Sequence, residues 1–207
     1  MQEAEGPIPG VRGFRLSRGE RQMHFAQKIV LAAAIFVLAA CSSNSSSDKS
    51  AKRTEINNAA DAAWSELVAE NPAARDLAKD AKGVAIFPDI IKGGLIVGGE
   101  TGDGVLRVGG DNAAYYNVSS ASIGLQIGGQ SYSQVLMFLT DEALASFRAS
   151  SGWEAGVDGT VAVIDKGASG DLDTSNIAAP VVAFIFGEEG LMGGVSLEGS
   201  KYTRLDL

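Results

Sequence analysis

The sequence predicts an α+β fold: an N-terminal helical arm packed on a glycine-rich, mainly antiparallel β-sheet, sandwich- or barrel-like, with one short helix near 141–149. Three observations predict it. From Ala51 to Lys82 the chain holds no glycine and one proline, and its apolar residues recur at three- and four-residue steps. From Gly83 on it holds 22 of its 26 glycines, and the apolar residues alternate instead. The alternating runs are short and separated by turn residues, which is the pattern of an antiparallel sheet curling towards closure.

Residues 1–22 carry acidic residues, glycine and proline but no apolar run, and are read as an extension upstream of a start at Met23. Residues 23–40 have the form of a signal peptide: His24, Gln27 and Lys28 make a polar start, and Ile29 to Leu38 an apolar core. Leu38-Ala39-Ala40-Cys41 closes that core with small residues before the only cysteine, the pattern cut by lipoprotein signal peptidase once a diacylglyceryl group is on the thiol. The apolar run is shorter than the roughly 20 residues a membrane span needs. Cys41 is therefore the expected lipidation site, with acyl groups such as palmitate as its covalent attachment. Ser42, rather than Asp, predicts sorting to a bacterial outer membrane, with the domain facing the periplasm. Residues 41–53 are expected to form a lipidated polar tether, with Ser42 to Ser50 its flexible part.

Composition narrows the chemistry. The chain carries −8 overall and +2 before Cys41, so the remainder carries −10. Such acidity argues against nucleic acid as a partner, because phosphate backbones are bound by rows of Lys and Arg. A single cysteine excludes an internal disulfide and a cysteine-cluster metal site. The only histidine, His24, precedes Cys41, which removes His-based nucleophile arrangements from the remainder. No enzyme activity, metal or other cofactor is expected.

In the arm, Ile56, Ala59, Ala60, Ala63, Trp64, Leu67 and Val68 fall on one helical face, with Thr54 as the candidate cap. Asn71-Pro72 reads as a stop and restart, since Asn caps and Pro suits the first helical position. The second helix, Ala73 to Ala81, presents Leu77 and Ala81 inward. Trp64 has two readings: an aromatic facing membrane or ligand, or an anchor packing the arm on the sheet, in which case Trp64→Ala costs roughly 3–5 kcal/mol.

The expected strands are 83–87, 94–100, 104–109, 114–119, 122–128, 134–140, 159–164, 181–186 and 193–198. Thr101-Gly102-Asp103-Gly104 is the clearest hairpin signal, because an Asp-Gly pair tolerates positive φ. Thr140 caps a short helix that has Asp141 and Glu142 in its first turn and turns Leu144 and Phe147 to the core. The pairs Gly93-Gly94, Gly98-Gly99, Gly128-Gly129 and Gly193-Gly194 fit bulges and close packing, or a backbone surface open to a ligand head group. The glycines around Gly98–Gly102 lack the phosphate-loop spacing and its Lys-Ser/Thr pair. Asp103, Asp111, Asp158, Asp165, Asp171 and Asp173 do not form a twelve-residue calcium loop and read as solvated turn acids.

These segments resemble the SYLF domain, shared by eukaryotic lipid- and actin-binding proteins and by bacterial lipoproteins. The resemblance rests on Lys82-Gly83-Val84-Ala85-Ile86-Phe87-Pro88, Lys92-Gly93-Gly94, Val97-Gly98-Gly99-Glu100 and Gly102-Asp103-Gly104-Val105-Leu106. It continues through Ser122-Ile123-Gly124-Leu125-Gln126-Ile127-Gly128-Gly129-Gln130 and Val135-Leu136-Met137-Phe138-Leu139-Thr140, and spans 54–207. Members often carry Trp-Ser-Ala-Pro where this chain has Tyr115-Tyr116-Asn117-Val118. The resemblance implies binding of membrane phospholipids, in part through an amphipathic N-terminal segment, and no enzymatic activity. Phospholipid head groups would then be met by Lys79, Lys82, Lys92 and Trp64 near the junction of arm and body. The alternative is a structural lipoprotein that recruits another envelope protein while the acyl anchor alone binds membrane.

Metabolic labelling with palmitate is expected to mark the wild-type chain and to leave Cys41→Ser unlabelled. Equal labelling of both would refute lipidation at Cys41.

Overall fold

A computed structural model describes residues 45–94, 97–123, 128–165, 178–190, 197 and 199–207. The chain divides into two units, Met1–Ser47 and Asp48–Leu207, and nearly all described residues fall in the second. Cys41 and the apolar run before it lie outside the described residues.

Two helices open the described chain, α1 Ser45–Glu70 and α2 Pro72–Asp80. α1 begins well before Thr54, inside the stretch expected to be tether. Residues 48–53 contain no helix breaker, and their long cations find partners: Lys49 pairs with Asp206 at 2.9 Å and Lys52 with Asp103 at 3.2 Å. Arg53 donates to the carbonyl of Leu207. Thr54 is thus an interior residue, its hydroxyl donating to the Ser50 carbonyl at 3.0 Å, and not a cap. The break at Asn71-Pro72 is as expected, with Asn71 Oδ1 accepting from the Ala74 amide at 2.9 Å. The guanidinium of Arg75 turns back to donate to the Val68 and Ala69 carbonyls at the end of α1.

The sheet has eight strands: β1 Gly83–Gly94, β2 Val97–Val108, β3 Asp111–Ile123, β4 Gly128–Phe138, β5 Trp153–Glu154, β6 Val161–Asp165, β7 Val181–Gly190 and β8 Lys201–Leu205. Their order is β5-β8-β3-β2-β1-β4-β7-β6, all antiparallel except β6 with β7. Helix α3, Asp141–Ala149, is capped by Thr140 as expected and buries Leu144 and Phe147. Among the described residues the edge strands β5 and β6 do not pair with each other, so the sheet curls into a half-barrel without closing.

Four long strands replace several short expected ones. β1 runs through Pro88-Asp89 because a bulge there absorbs the proline without breaking the ladder on either side. The expected hairpin at Thr101–Gly104 is instead the middle of β2, paired throughout with β3. Its glycines serve close approach: a Cβ on Gly104 would lie 2.4 Å from the Ile86 carbonyl, and one on Gly102 2.6 Å from the Asp89 carbonyl. The turn falls at Gly109-Gly110, whose φ of 63° and 90° suit a tight β2–β3 hairpin. Strands β5 and β8 were not foreseen, and the expected strand at 193–198 lies almost wholly outside the described residues.

Alternation gives the sheet two buried faces. On the concave face Ala85, Phe87, Leu106, Tyr116, Leu136 and Phe138 surround α3, with Trp153 from edge strand β5 and Tyr202 from β8 beside it. Phe147 is the hub, in ring contact with Tyr116, Phe138, Trp153 and Tyr202 at 4.6 to 5.9 Å. On the other face Ile86, Val105, Val135, Met137 and Phe184 lie under Ile56, Ala60, Ala63 and Leu67 of α1 and Ala74 and Leu77 of α2. The arm's buried stripe is narrower than expected, since Ala59 is exposed and Val68 half-buried.

Gly104→Ala should destabilise the domain by at least about 1–3 kcal/mol, because the added methyl overpacks against backbone. Chemical denaturation reads this directly, and an unchanged midpoint would contradict the close approach of β1 and β2.

Candidate functional site

The arm does not fill its face of the sheet. Beside α2 it leaves a cleft of about 410 Å³ lined by Trp64, Ala78, Ala81, Gly83, Val84, Ile86, Arg107, Gly109 and Gly110. The local sequence explains the opening. Ala78 and Ala81 offer only methyl groups and the β2–β3 turn offers none, so of the lining side chains on the sheet Arg107 is the one that reaches α1, at Asp61. Val84 and Ile86 make an apolar floor, and Ile86 is buried. Arg107 closes one wall with its guanidinium held by Asp61 at 2.7 Å and Asn112 at 3.0 Å.

Trp64, Lys79 and Lys82 lie at or beside this cleft. Trp64 is half-buried: it packs against the core under the arm and also lines the cleft. Lys82 is exposed between two lining residues, and its backbone amide is fixed by a 2.8 Å bond to the Phe138 carbonyl. Lys79 donates to Asp76 at 2.7 Å, which holds the Asp76 carboxyl below the usual carboxylate range and spends much of the lysine's charge locally. Lys92 does not join them. It sits ten residues along β1, roughly 30 Å away at strand spacing, and its register with Glu100 and Gln130 puts it on the concave face. The expected three-lysine cluster is therefore a pair at most.

A second polar group was not foreseen. Glu100 is 6% exposed, on the concave face. Its carboxylate accepts from Ser120 at 2.8 Å, Tyr132 at 2.9 Å and Ser200 at 3.2 Å. Deeper in, Gln134 donates to the Tyr202 hydroxyl at 2.7 Å. The available signal was an acid and two glutamines at inward positions of alternating strands. Burial raises the pKa of both hydroxyls, and at Tyr132 the Glu100 charge adds to it. This arrangement ties β2, β3, β4 and the segment before β8 together.

The glycine pairs align across three strands. Gly99, Gly93 and Gly129 form one row by register, and all three are exposed. No bulge falls there, and the row exposes backbone, although a Cβ on Gly99 would lie 3.3 Å from the Ser120 carbonyl. Asp103, expected in a turn, lies within β2 and holds Lys52 and Asn117. Where family members carry Trp-Ser-Ala-Pro, Tyr116 enters the aromatic core and Asn117 donates across to β2. Among the described residues no group of three or more His, Cys, Asp or Glu is placed to hold a metal, and no helix is long and apolar enough to cross a membrane.

Residues 119–206 match the protein family described as "Ysc84: Las17-binding protein actin regulator". A curated relative, "Beta cell expansion factor A" of Aeromonas veronii, is 34% identical over 152 residues, covering 72% of this chain and 56% of the relative. The chain thus spans about half the length of that relative. The matched family segment takes in α3, β8 and the aromatic core apart from Phe87 and Tyr116; every residue lining the cleft precedes it.

Raised tyrosine pKa values make alkaline stability a test of the concave core. Free tyrosine titrates near 10.0, and both buried hydroxyls are held above that. Their contribution is complete below about pH 10 and is lost as pH rises further, at about 1.4 kcal/mol per pH unit for each tyrosine. Urea unfolding above about pH 10 should show this slope, flattened in Tyr202→Phe. An identical slope in wild type and variant would count against the buried, neutral hydroxyl.

Proposed function

The chain belongs to the SYLF family, and from that premise we propose that it is a membrane-anchored periplasmic lipoprotein whose domain binds phospholipid head groups. Family membership fits a membrane or lipid partner in general. The anchor is assigned to Cys41 on the strength of Leu38-Ala39-Ala40-Cys41 and the apolar run before it, with the outer membrane as destination because Ser42 follows. The observation that carries the lipid reading is the cleft beside α2, lined mostly by apolar residues, with the exposed Lys82 standing between the lining residues Ala81 and Gly83 in the chain. With −10 on the part after Ala40, attraction to a phosphate must be local to that rim. The reading assigns no catalysis and no cofactor beyond the acyl groups. The family description's actin-regulator role is not carried over, because export separates the chain from cytosolic filaments.

A second reading has its own observation. Ile91 is 60% exposed, pairs in register with Thr101 and Ser131, and stands two residues before Gly93 of the glycine row on the same side of β1. An exposed apolar side chain beside open backbone suits an envelope protein recruited to the anchored domain.

Vesicle flotation of Asp48–Leu207, with and without anionic lipid, separates the two. Co-flotation weakened by Lys82→Glu is expected. Failure to float with every composition, alongside capture of an envelope protein that depends on Ile91, would favour recruitment and remove the lipid reading.

A further inference from the structure

We propose that the cleft beside α2 takes up the tail of a single-chain anionic amphiphile, with Lys82 meeting its head. This rests on the lipid-binding reading and narrows it, from contact with head groups at a bilayer surface to uptake of one tail by the protein.

The cleft is left open by design of its small residues. A Cβ built on Gly109 or Gly110 would meet nothing within 4 Å, so the turn borders empty space. Its volume of about 410 Å³ falls towards the lower end of the roughly 300–1,000 Å³ of small-molecule pockets. Trp64, Val84 and Ile86 offer a tail an apolar floor and one aromatic wall. Arg107 is committed to Asp61 and Asn112, so it shapes the wall and leaves head recognition to the rim. There Lys82 is the suitable cation: it is exposed, its backbone is fixed, and among the described residues no carboxylate pairs with it. Lys79 is a weaker second, being paired with Asp76.

The geometry favours one tail over two. A second hollow under the arm measures about 30 Å³, room for little more than a water, and is bordered by Glu66 and Glu70. A second acyl chain would find neither space nor a compatible charge there.

The test uses Asp48–Leu207, a compact unit that holds both apolar cores. It has two tryptophans, Trp64 at the cleft and Trp153, 1% exposed, in the concave core. A brominated long-chain fatty acid, kept below its micelle concentration, should quench Trp64 saturably at one molecule per chain, and Trp64→Phe should lose that quenching. Ala78→Phe, which fills the cleft, should weaken binding at least tenfold, and Lys82→Glu several-fold. Near-UV circular dichroism checks that each variant folds; should Ala78→Phe fail, Lys82→Glu decides. Lysophosphatidylglycerol should displace the probe and inorganic phosphate should not, because the tail carries the affinity. Absence of saturable quenching, displacement by inorganic phosphate, or unchanged affinity in a folded variant overturns the proposal. If vesicles still float when quenching is absent, the head-group reading stands and only tail uptake falls; if neither occurs, both fall.

Discussion

The central strands of this sheet are buried on both sides, and the rest of the structure follows from covering them. β1 places Ala85 and Phe87 on one face and Ile86 on the other, all essentially inaccessible. The concave side is closed by curling the sheet around Phe147 and drawing in Trp153 from edge strand β5 and Tyr202 from β8 beside it. The opposite side cannot curl as well, so it needs a separate lid, and α1 with α2 provides it. Burying a side chain such as Ile86, Val135 or Phe184 is worth about 1.5–3 kcal/mol each. The ion pairs Lys49–Asp206 and Lys52–Asp103, the first exposed and the second partly so, are worth about 0–1 kcal/mol each. Apolar burial therefore holds the arm down, and the ion pairs set its register and extend its helix towards Ser45.

The curl needs local devices. Glycines let β1 fold over β2 at the bulge, where any side chain on Gly102 or Gly104 would strike backbone. Glu100 supplies the other device. A buried carboxylate is costly unless hydrogen-bonded, and its three hydroxyl donors come from β3, β4 and the segment before β8. One charge thereby ties the far end of the chain to the middle of the sheet.

Much of this was legible in the sequence. The arm, the Asn71-Pro72 break and the Thr140 helix were read from periodicity and capping, which act within a few residues. The sheet's antiparallel character was legible from alternation. The strand limits were not, because Asp-Gly in 101–104 has the chemistry of a turn while its role is set by β1 lying across it. Nor was α1's early start, which depends on Asp103 and Asp206, far off in sequence. For the site, Trp64 and Lys82 were placed correctly near the arm–body junction. Lys92 was misplaced because strand β1 continues where a break was expected, carrying it to the far end and the other face.

Arm, cleft and proposed ligand are one structural claim, since the cleft exists only while α1 and α2 lie on the sheet. Hydrogen exchange of the α1 and α2 amides in Asp48–Leu207 measures this most directly. The account predicts that amides around Ala60, Leu67 and Leu77 exchange only through global unfolding, with the same protection as Ile86 and Val135 in the sheet. Rapid exchange in both helices while β1 and β4 stay protected would show an undocked arm, and would contradict the account.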